Sequence, residues 1–435
     1  MLPPWKRYLN RVVAAEVSAM TRYYDRVIQW MRTPGDEGDL LDAIVCPEKE
    51  LAEGDAIPDH AHERDRRTAV LLAGTINHHF DIEGLLRAMG PRLSRSSRVL
   101  MIVFNPYLQW IYWLALKLGL QSGVMPTTFV TLTDLDSICR LAGYERVRFR
   151  QFLYCPWSLL GAGSIINAVM PAVPLLRHLS LASLVVVRPL PEERGDPSLS
   201  IVIPARNERG NIAPAVERLI ATGISAEIIF VEGHSTDGTW EEIARVQAEY
   251  ATRADIKAFR QSGRGKADAV RLGFAQASGE LLTIVDADLT MPPELVRRFV
   301  DAWRGGAADF VNGNRIVYPM EGDAMRFLNR LGNVFFAKVL TWILGVRLGD
   351  CLCGTKLVAR SDYVRMQAWR RDFGDFDPFG DFELIFPAAI LGLGVVDVPV
   401  RYRARTYGAT NIHRFRHGAM LLKMALVGLF RVKVG

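Results

Sequence analysis

Cysteine is scarce in this chain of 435 residues: there are five, Cys46, Cys139, Cys155, Cys351 and Cys353, scattered apart from one C-x-C pair. An odd, scattered set makes no disulfide framework and suits a reducing compartment. A charge excess is also missing. With 53 Lys+Arg against 47 Asp+Glu, the formal charge of +6 is too mild to imply a nucleic-acid partner. Clean apolar runs of the roughly 20 residues that a spanning helix needs are absent. Residues 99–120 are broken by Asn105-Pro106, Gln109 and Lys117, and residues 159–187 by Pro171, Pro174, Arg177 and His178. The opening MLPPWKRYLNRVVAAE lacks the apolar core and small-residue cleavage site of a signal peptide. The hydrophobic share of 49% and charged share of 23% exclude disordered and collagenous classes. The expectation is a soluble or surface-bound protein of two or three domains, with no nucleic-acid partner.

The clearest boundary is Pro189-Leu-Pro-Glu-Glu-Arg-Gly-Asp-Pro197, charged and rich in proline, between two apolar runs. It divides the chain into residues 1–188, a linker 189–197, and residues 198–435. The second part alternates strands (199–203, 227–231, 255–259, 281–285) with helices (211–221, 239–250, 266–277, 293–304). That rhythm predicts an α/β layer with a parallel sheet. In such sheets ligands bind beyond the carboxyl ends of the strands. Those ends carry Pro204-Ala-Arg-Asn-Glu208, Glu232-Gly-His-Ser-Thr-Asp237-Gly-Thr239 and Asp286-Ala-Asp288. Two carboxylates spaced as Asp-x-Asp on a turn suit a hard divalent cation whose open positions take a diphosphate. As a bland alternative they cap the following helix or form Asx turns. Gly263-Arg-Gly-Lys266 opens a helix, where glycine and cations suit phosphate, without the spacing of a P-loop.

This ordered set, with Asn312-Gly-Asn-Arg315, Asp350-Cys-Leu-Cys-Gly-Thr-Lys356, Asp381-Phe-Glu383 and Arg405-Thr-Tyr-Gly-Ala-Thr-Asn411, resembles family 2 glycosyltransferases. The branch it is most similar to makes dolichyl- and polyprenyl-phosphate sugars. The resemblance spans about residues 198–420. It implies a GT-A type nucleotide-sugar fold and an inverting hexosyl transfer. Pro204, Arg206, Glu208, Glu232 and Asp237 would line the nucleotide pocket, with Lys266 and Asp268 beside it. Asp286 and Asp288 would hold Mg2+ or Mn2+ on the donor diphosphate. Arg315, Arg403 and Arg405, with Thr410 and Asn411, would bind the acceptor phosphate, since Arg offers a forked, permanent charge. Asp381 or Glu383 would serve as general base if the acceptor were a hydroxyl.

Two departures stand out. Glu232 replaces the family's usual aspartate. Asn411, followed by His413, Arg414 and Arg416, replaces its usual lysine. The Asp350-x-x-Cys-Gly-x-Lys356 pattern favours a UDP-sugar over GDP-mannose. The alternatives are a hydroxyl acceptor in polysaccharide or glycolipid assembly, and a non-catalytic scaffold.

Residues 326–344 form a wide aromatic apolar face, and residues 401–435 are basic and carry no Asp or Glu. Each basic residue near an anionic leaflet is worth on the order of 1 kcal/mol. The expectation is a cytoplasmic enzyme peripheral to the inner face of the membrane. In residues 67–188, the stretch Ala69–His78 with Asp81–Leu93, and Leu132-Thr-Asp-Leu with Leu141-Ala-Gly-Tyr-Glu-Arg-Val, resemble the C-terminal half of a class I methyltransferase. No G-x-G turn and no acid ending a strand precede Arg67. An incomplete, catalytically inactive Rossmann-like domain is therefore expected. His60-Ala-His62 and His78-His79 lack the companion ligands that a metal would need.

Overall fold

The computed structural model describes all residues except 1–2, 32–37, 53–56, 59–65, 119–123, 174–175, 191–193, 320–326, 375–376, 378, 409–413 and 435. Two mixed α/β layers divide near the proline-rich linker. In the first, β1 (Arg26–Trp30), β2 (Glu48–Ala52), β3 (Thr68–Leu72), β4 (Arg98–Phe104), β5 (Tyr144–Phe152) and β6 (Ala182–Pro189) form one six-stranded sheet in the order β2-β1-β3-β4-β6-β5. β2, β1, β3 and β4 run parallel, and β6 lies antiparallel to both β4 and β5. The parallel strands β1 and β3 are buried along their whole length, so their apolar runs are continuous and not alternating.

The structure corrects one expectation. The polar stretch before Arg67 is not featureless. It supplies α1 (Pro4–Thr21), β1, the short α2 (Asp39–Ala43) and β2. The sheet therefore extends two strands beyond the point at which the sequence reading started it. Gly38, at φ +95°, begins α2, a left-handed position that suits glycine. The helices of the rest of this half are α3 (Ile82–Met89), α4 (Gln109–Lys117), α5 (Leu132–Leu141) and α6 (Ala162–Val169). His60 and His62 lie outside the described residues.

The second sheet has seven strands: β7 (Leu199–Ala205), β8 (Ala226–Glu232), β9 (Asp255–Arg260), β10 (Leu281–Ile284), β11 (Phe310–Asn314), β12 (Lys356–Ala359) and β13 (Val395–Pro399). Their order is β13-β11-β12-β10-β7-β8-β9. β10, β7, β8 and β9 are parallel, and β12 is antiparallel to β10 and β11. The crossovers are α7 (Arg209–Ala221), α8 (Thr239–Glu249) and α9 (Lys266–Gln276), and α10 (Val296–Arg304) precedes β11. Beyond them lie α11 (Phe327–Leu344), α12 (Arg360–Phe373), α13 (Phe382–Ile390) and α14 (Arg414–Gly428). Apolar clusters fill both faces, with Val202, Ile229 and Leu282 on one and Ile203, Phe230 and Leu281 on the other. Among the described residues no helix is long and apolar enough to cross a membrane.

The two halves meet at Asp309, just before β11. Its carboxylate is fully buried and faces Arg98 at 2.9 Å, Arg194 at 2.9 Å, Arg188 at 3.3 Å and Arg95 at 3.4 Å. Three of those arginines belong to the first half and Arg194 to the linker. Arg98 Nε also donates to the Gly392 carbonyl, and the Tyr24 hydroxyl to that of Leu391.

Candidate active site

Three parallel strands of the second sheet end on one edge, and each is followed by a residue in the left-handed region. Asn207 has φ +58°, His234 φ +59° and Leu289 φ +54°. Such strain at non-glycine residues persists where the surroundings hold it, and it clusters at functional sites. Side chains knit the first two of these turns together. The Asn207 amide donates to Ser235 Oγ at 3.0 Å, and the Thr236 amide to Asn207 Oδ1 at 2.9 Å. The Asp237 carboxylate accepts the backbone amides of Arg209 (3.2 Å) and Thr239 (3.1 Å). Burial acts to raise its pKa, but these hydrogen bonds and the one from the Thr239 hydroxyl outweigh that and hold the carboxyl below its usual range. Asp237 thus ties the starts of α7 and α8 to each other.

The centre of the edge is Asp286 and Asp288, after β10. Asp286 pairs with Lys266, the first residue of α9. Burial would raise the Asp286 carboxyl, but Lys266, and behind it Lys356 and Arg315, hold it down. Asp288 Oδ1 accepts the Thr290 hydroxyl at 2.8 Å, and Oδ2 takes Arg405 at 2.7 Å. The same Arg405 guanidinium reaches Glu208 at 2.7 Å, whose other oxygen accepts the Asn211 amide at 2.7 Å. One fork therefore bridges two strand ends, which a point-charge ammonium could not match. Gly354 lies against this centre. A Cβ there would overlap Lys266 Nζ and Asp286 Oδ2.

The segment 403–408 straps the edge. The Arg403 amide donates to the Thr290 carbonyl at 2.8 Å, Arg405 makes its bridge, and the Tyr407 hydroxyl donates to Asp237 at 3.3 Å. The Tyr407 ring lies over Gly210, where any Cβ would collide with it. Thr410 and Asn411 lie outside the described residues.

The remaining residues singled out from the sequence fall into three groups. Pro204, Arg206 and Glu232 stand at the strand ends. Arg206 is exposed at the mouth, and Glu232 is buried and accepts the Ser235 amide. Asp268 accepts the Gly263 amide at 3.1 Å and so closes the turn before α9. Arg315, Asp381 and Glu383 are each committed to a partner of opposite charge. Arg315 makes a bidentate pair with buried Asp350, at 2.7 and 2.9 Å. Burial pushes the Asp350 carboxyl up, but Arg315 and the Asn333 amide bring it down to about 2. Asp381 meets Lys356 at 2.5 Å, and Glu383 meets Arg271 at 2.7 Å. Asp377, not Asp381, caps α13, accepting the amides of Phe382 (2.7 Å) and Glu383 (3.0 Å). That leaves the Asp381 carboxylate to Lys356.

The sequence reading gave no role to Asn211, Thr290, Asn333, Lys356 or Tyr407. Lys356 and Tyr407 stood inside its motifs. The others make contacts that only the fold creates. Among the described residues no third His, Cys, Asp or Glu joins Asp286 and Asp288 to complete a protein-only metal cage.

Residues 200–362 match the profile of glycosyl transferase family 2. A dolichol-phosphate mannosyltransferase of Pyrococcus furiosus is 34% identical over 122 residues, 27% of this chain and 33% of that protein. A dolichyl-phosphate hexose transferase of Haloferax volcanii is 28% identical over 228 residues, 52% of this chain and 91% of that protein. The dolichol-phosphate mannosyltransferase of Saccharomyces cerevisiae is 38% identical over 110 residues, 24% of this chain and 40% of its own. The chain thus spans between a third and two fifths of both mannosyltransferases. The glucosyl-3-phosphoglycerate synthase of Mycobacterium tuberculosis, solved with Mn2+, UDP and glucosyl-3-phosphoglycerate, overlays on 55% of this chain and 81% of its own. The identity there is 20% and the TM-score 0.40. The profile match covers the edge that holds Glu208, Asp286 and Asp288 and identifies residues 200–362 as a glycosyltransferase family 2 domain.

Proposed function

We propose that the enzyme transfers a hexose, with inversion, from a nucleotide-sugar to a polyprenyl phosphate at a membrane surface. The observation that carries the reading is the arrangement at one sheet edge: Asp286 with Lys266, and Asp288 with Arg405 and Glu208. Three carboxylates facing two cations form a centre that a further positive charge can join. A donor diphosphate arriving with a divalent ion brings both signs of charge. Asp286 and Asp288 would hold the ion, and Lys266 would face the donor phosphate oxygens. The donor set fits Mg2+ or Mn2+, being hard oxygen with places left for phosphate and water. When bound, the ion would stabilise the negative charge that builds on the leaving diphosphate.

An acceptor phosphate is already an oxyanion near neutral pH, so it needs placement and no base. The exposed Arg403 and the bridge-forming Arg405 supply cations on the strap beside Asp288. Arg315, bound to Asp350, serves to shape the loop between β11 and α11 and acts on the phosphate only through the field of its charge. Asp381 and Glu383 are tied to Lys356 and Arg271, which disfavours a general base and with it the hydroxyl-acceptor reading. The names of the archaeal and yeast relatives support the lipid-phosphate acceptor. The pattern around Asp350 and Lys356 supports a UDP-sugar donor. The basic segment 401–435 supports a position at the inner face of the membrane.

For the first half we propose an incomplete methyltransferase-like domain. Support comes from the order of its sheet, in which four parallel strands are followed by the antiparallel pair β6 and β5. The test of the main reading is nucleoside-diphosphate release from a panel of UDP- and GDP-sugars with Mn2+ or Mg2+ and a short polyprenyl phosphate. Release that requires one donor and the lipid phosphate together is expected. Release indifferent to the lipid would sink the acceptor assignment.

A further inference from the structure

Two helices of the first domain are inside out. On α4, Trp110, Trp113, Leu114 and Lys117 share one face by their spacing of three and four residues, and that face is exposed, with Trp110 at 61%. Tyr112 is the α4 residue that faces inward, its hydroxyl donating to the Leu181 carbonyl. On α6, Ile165, Ile166 and Val169 face outward. The polar Asn167 points in, its Oδ1 accepting the amides of Tyr154 (2.7 Å) and Cys155 (2.9 Å). A helix of a water-exposed domain buries its apolar stripe. Here the reverse is built, with the inward polar group satisfied. Just before α6, Leu159 (φ +43°) and Leu160 (φ +56°) are both left-handed, and Leu160 is fully exposed at the tip of the turn. Backbone strain is spent on presenting two leucines to the outside.

These patches lie on adjoining elements. Asn105, at the foot of α4, donates to the carbonyls of His178 and Ser180. The turn 176–179 packs on the turn 170–172 after α6, which in turn packs on residues 429–434 of the C-terminal helix. Arg150 fixes the same junction, donating to the Val432 carbonyl at 2.7 Å. That helix carries exposed Leu422, Leu426 and Phe430, and packs on α11, which exposes Leu331 and Phe335.

We propose that this face, and chiefly the α4 and α6 region of the first domain, docks the protein on an anionic lipid surface. Charge selects that occupant. No Asp or Glu occurs between Glu83 and Asp134, between Glu145 and Glu192, or after Asp397. Lys117 and Arg177 stand within the patch, and the Lys117 ammonium lies 4.7 Å from the Trp113 ring. Tryptophan and tyrosine beside a cation are the residues of a membrane–water interface, where an amphipathic ring is half wet. Tyr107, Trp110 and Trp113 provide them. The face therefore gives the first domain a task, holding the transferase edge at the bilayer. Its purpose rests on the lipid-acceptor reading, but its physical case does not.

The test is co-sedimentation of the full chain with vesicles of phosphatidylcholine and phosphatidylglycerol at low salt. Wild type is compared with Trp110→Glu/Trp113→Glu, with Leu160→Asp and with Leu422→Asp/Phe430→Asp, all at exposed positions. The tryptophan variant is expected to weaken vesicle binding about tenfold or more, and Leu160→Asp to weaken it measurably. Both should keep the wild-type melting temperature and their transfer to a detergent-dispersed short polyprenyl phosphate. Brominated phosphatidylcholine should quench wild-type tryptophan emission, which gives an answer even from a variant that folds poorly. The proposal is overturned if only the C-terminal variant loses binding, or if brominated lipid leaves the emission unchanged. It is equally overturned if light scattering shows a dimer that the tryptophan variant dissolves, since the face would then join two copies. Absence of transfer by a wild type that still binds vesicles would refute the acceptor reading and leave the docking face standing.

Discussion

Replacing Asp309 by asparagine should loosen both halves of the molecule at once. The wild-type carboxylate is wholly buried, and two of its partners, Arg98 and Arg188, are themselves only 1% exposed. Burial already pushes the Arg98 guanidinium down to about 10, with Asp309 opposing that shift. Asparagine keeps the shape and removes the charge, leaving a cluster of like charges without its centre. Removing one partner of a buried pair costs roughly 3–5 kcal/mol. For domains of this size 1 kcal/mol moves the melting temperature by about 2–4 °C, so a fall of roughly 6–20 °C is expected. Arg95→Ala is the control. Its guanidinium is 30% exposed, and its loss should cost about 1 kcal/mol. The assay is scanning calorimetry of the full chain, with a cycle through Arg98→Met to isolate the pair. A shift below 2 °C, or strict additivity with Arg98→Met, would refute the claim that this carboxylate joins the halves. The pH dependence follows in sign. Burial acts to raise the Asp309 carboxyl, but Arg188, Arg98, Arg95 and Arg194 outweigh it and hold it well below its usual range. A depressed folded value means the stabilisation is fully present above the unfolded value of about 4 and is lost as pH falls below it. The gap between wild type and Asp309→Asn should therefore be flat from about pH 5 to 8 and narrow in stronger acid.

Three further outcomes are expected. Asp288→Asn should abolish the extra thermal stabilisation by UDP with Mn2+ and lower transfer on the order of 100-fold or more, while the apo melting temperature moves little; equal responses of variant and wild type would remove the proposed ion site. Gly354→Ala should displace Lys266 and Asp286 and cost on the order of 100-fold in transfer with the fold intact by circular dichroism; near-normal turnover would show that the close approach of this loop is incidental. Titration of the full chain with S-adenosylmethionine should release no heat at micromolar concentrations; a measurable isotherm would mean that the first domain retains a cofactor site.

The sequence by itself determined the α/β alternation of the second half and the residues at its strand ends. Both are local signals. An apolar run closed by a turn reads as a strand wherever it stands, and acids placed just after three such runs must meet at one edge once the strands are parallel. The family resemblance ordered those same residues. The missed elements were those whose signal is weak or non-local. β12 has only four residues, includes Lys356, and runs against its neighbours. β1 and β2 sit among acids and glycines, and become strands by pairing, β1 with β3 and β2 with β1. Only the tertiary structure decided what each charged side chain does. Arg315 and Arg405 look alike in sequence, yet one is bound to buried Asp350 and the other bridges Asp288 and Glu208. Asp377, in no motif, takes the cap of α13 and leaves Asp381 to Lys356, and Asp309, likewise in no motif, receives three arginines from across the linker and one from within it. Spacing along a chain fixes which face or turn a residue occupies. The partner of a charge depends on which distant segment is brought within about 4 Å, the reach of a direct ion pair. For the same reason the outward turn of Trp110 and Trp113 was invisible in the sequence, where an apolar stripe reads alike whether the core or a membrane covers it.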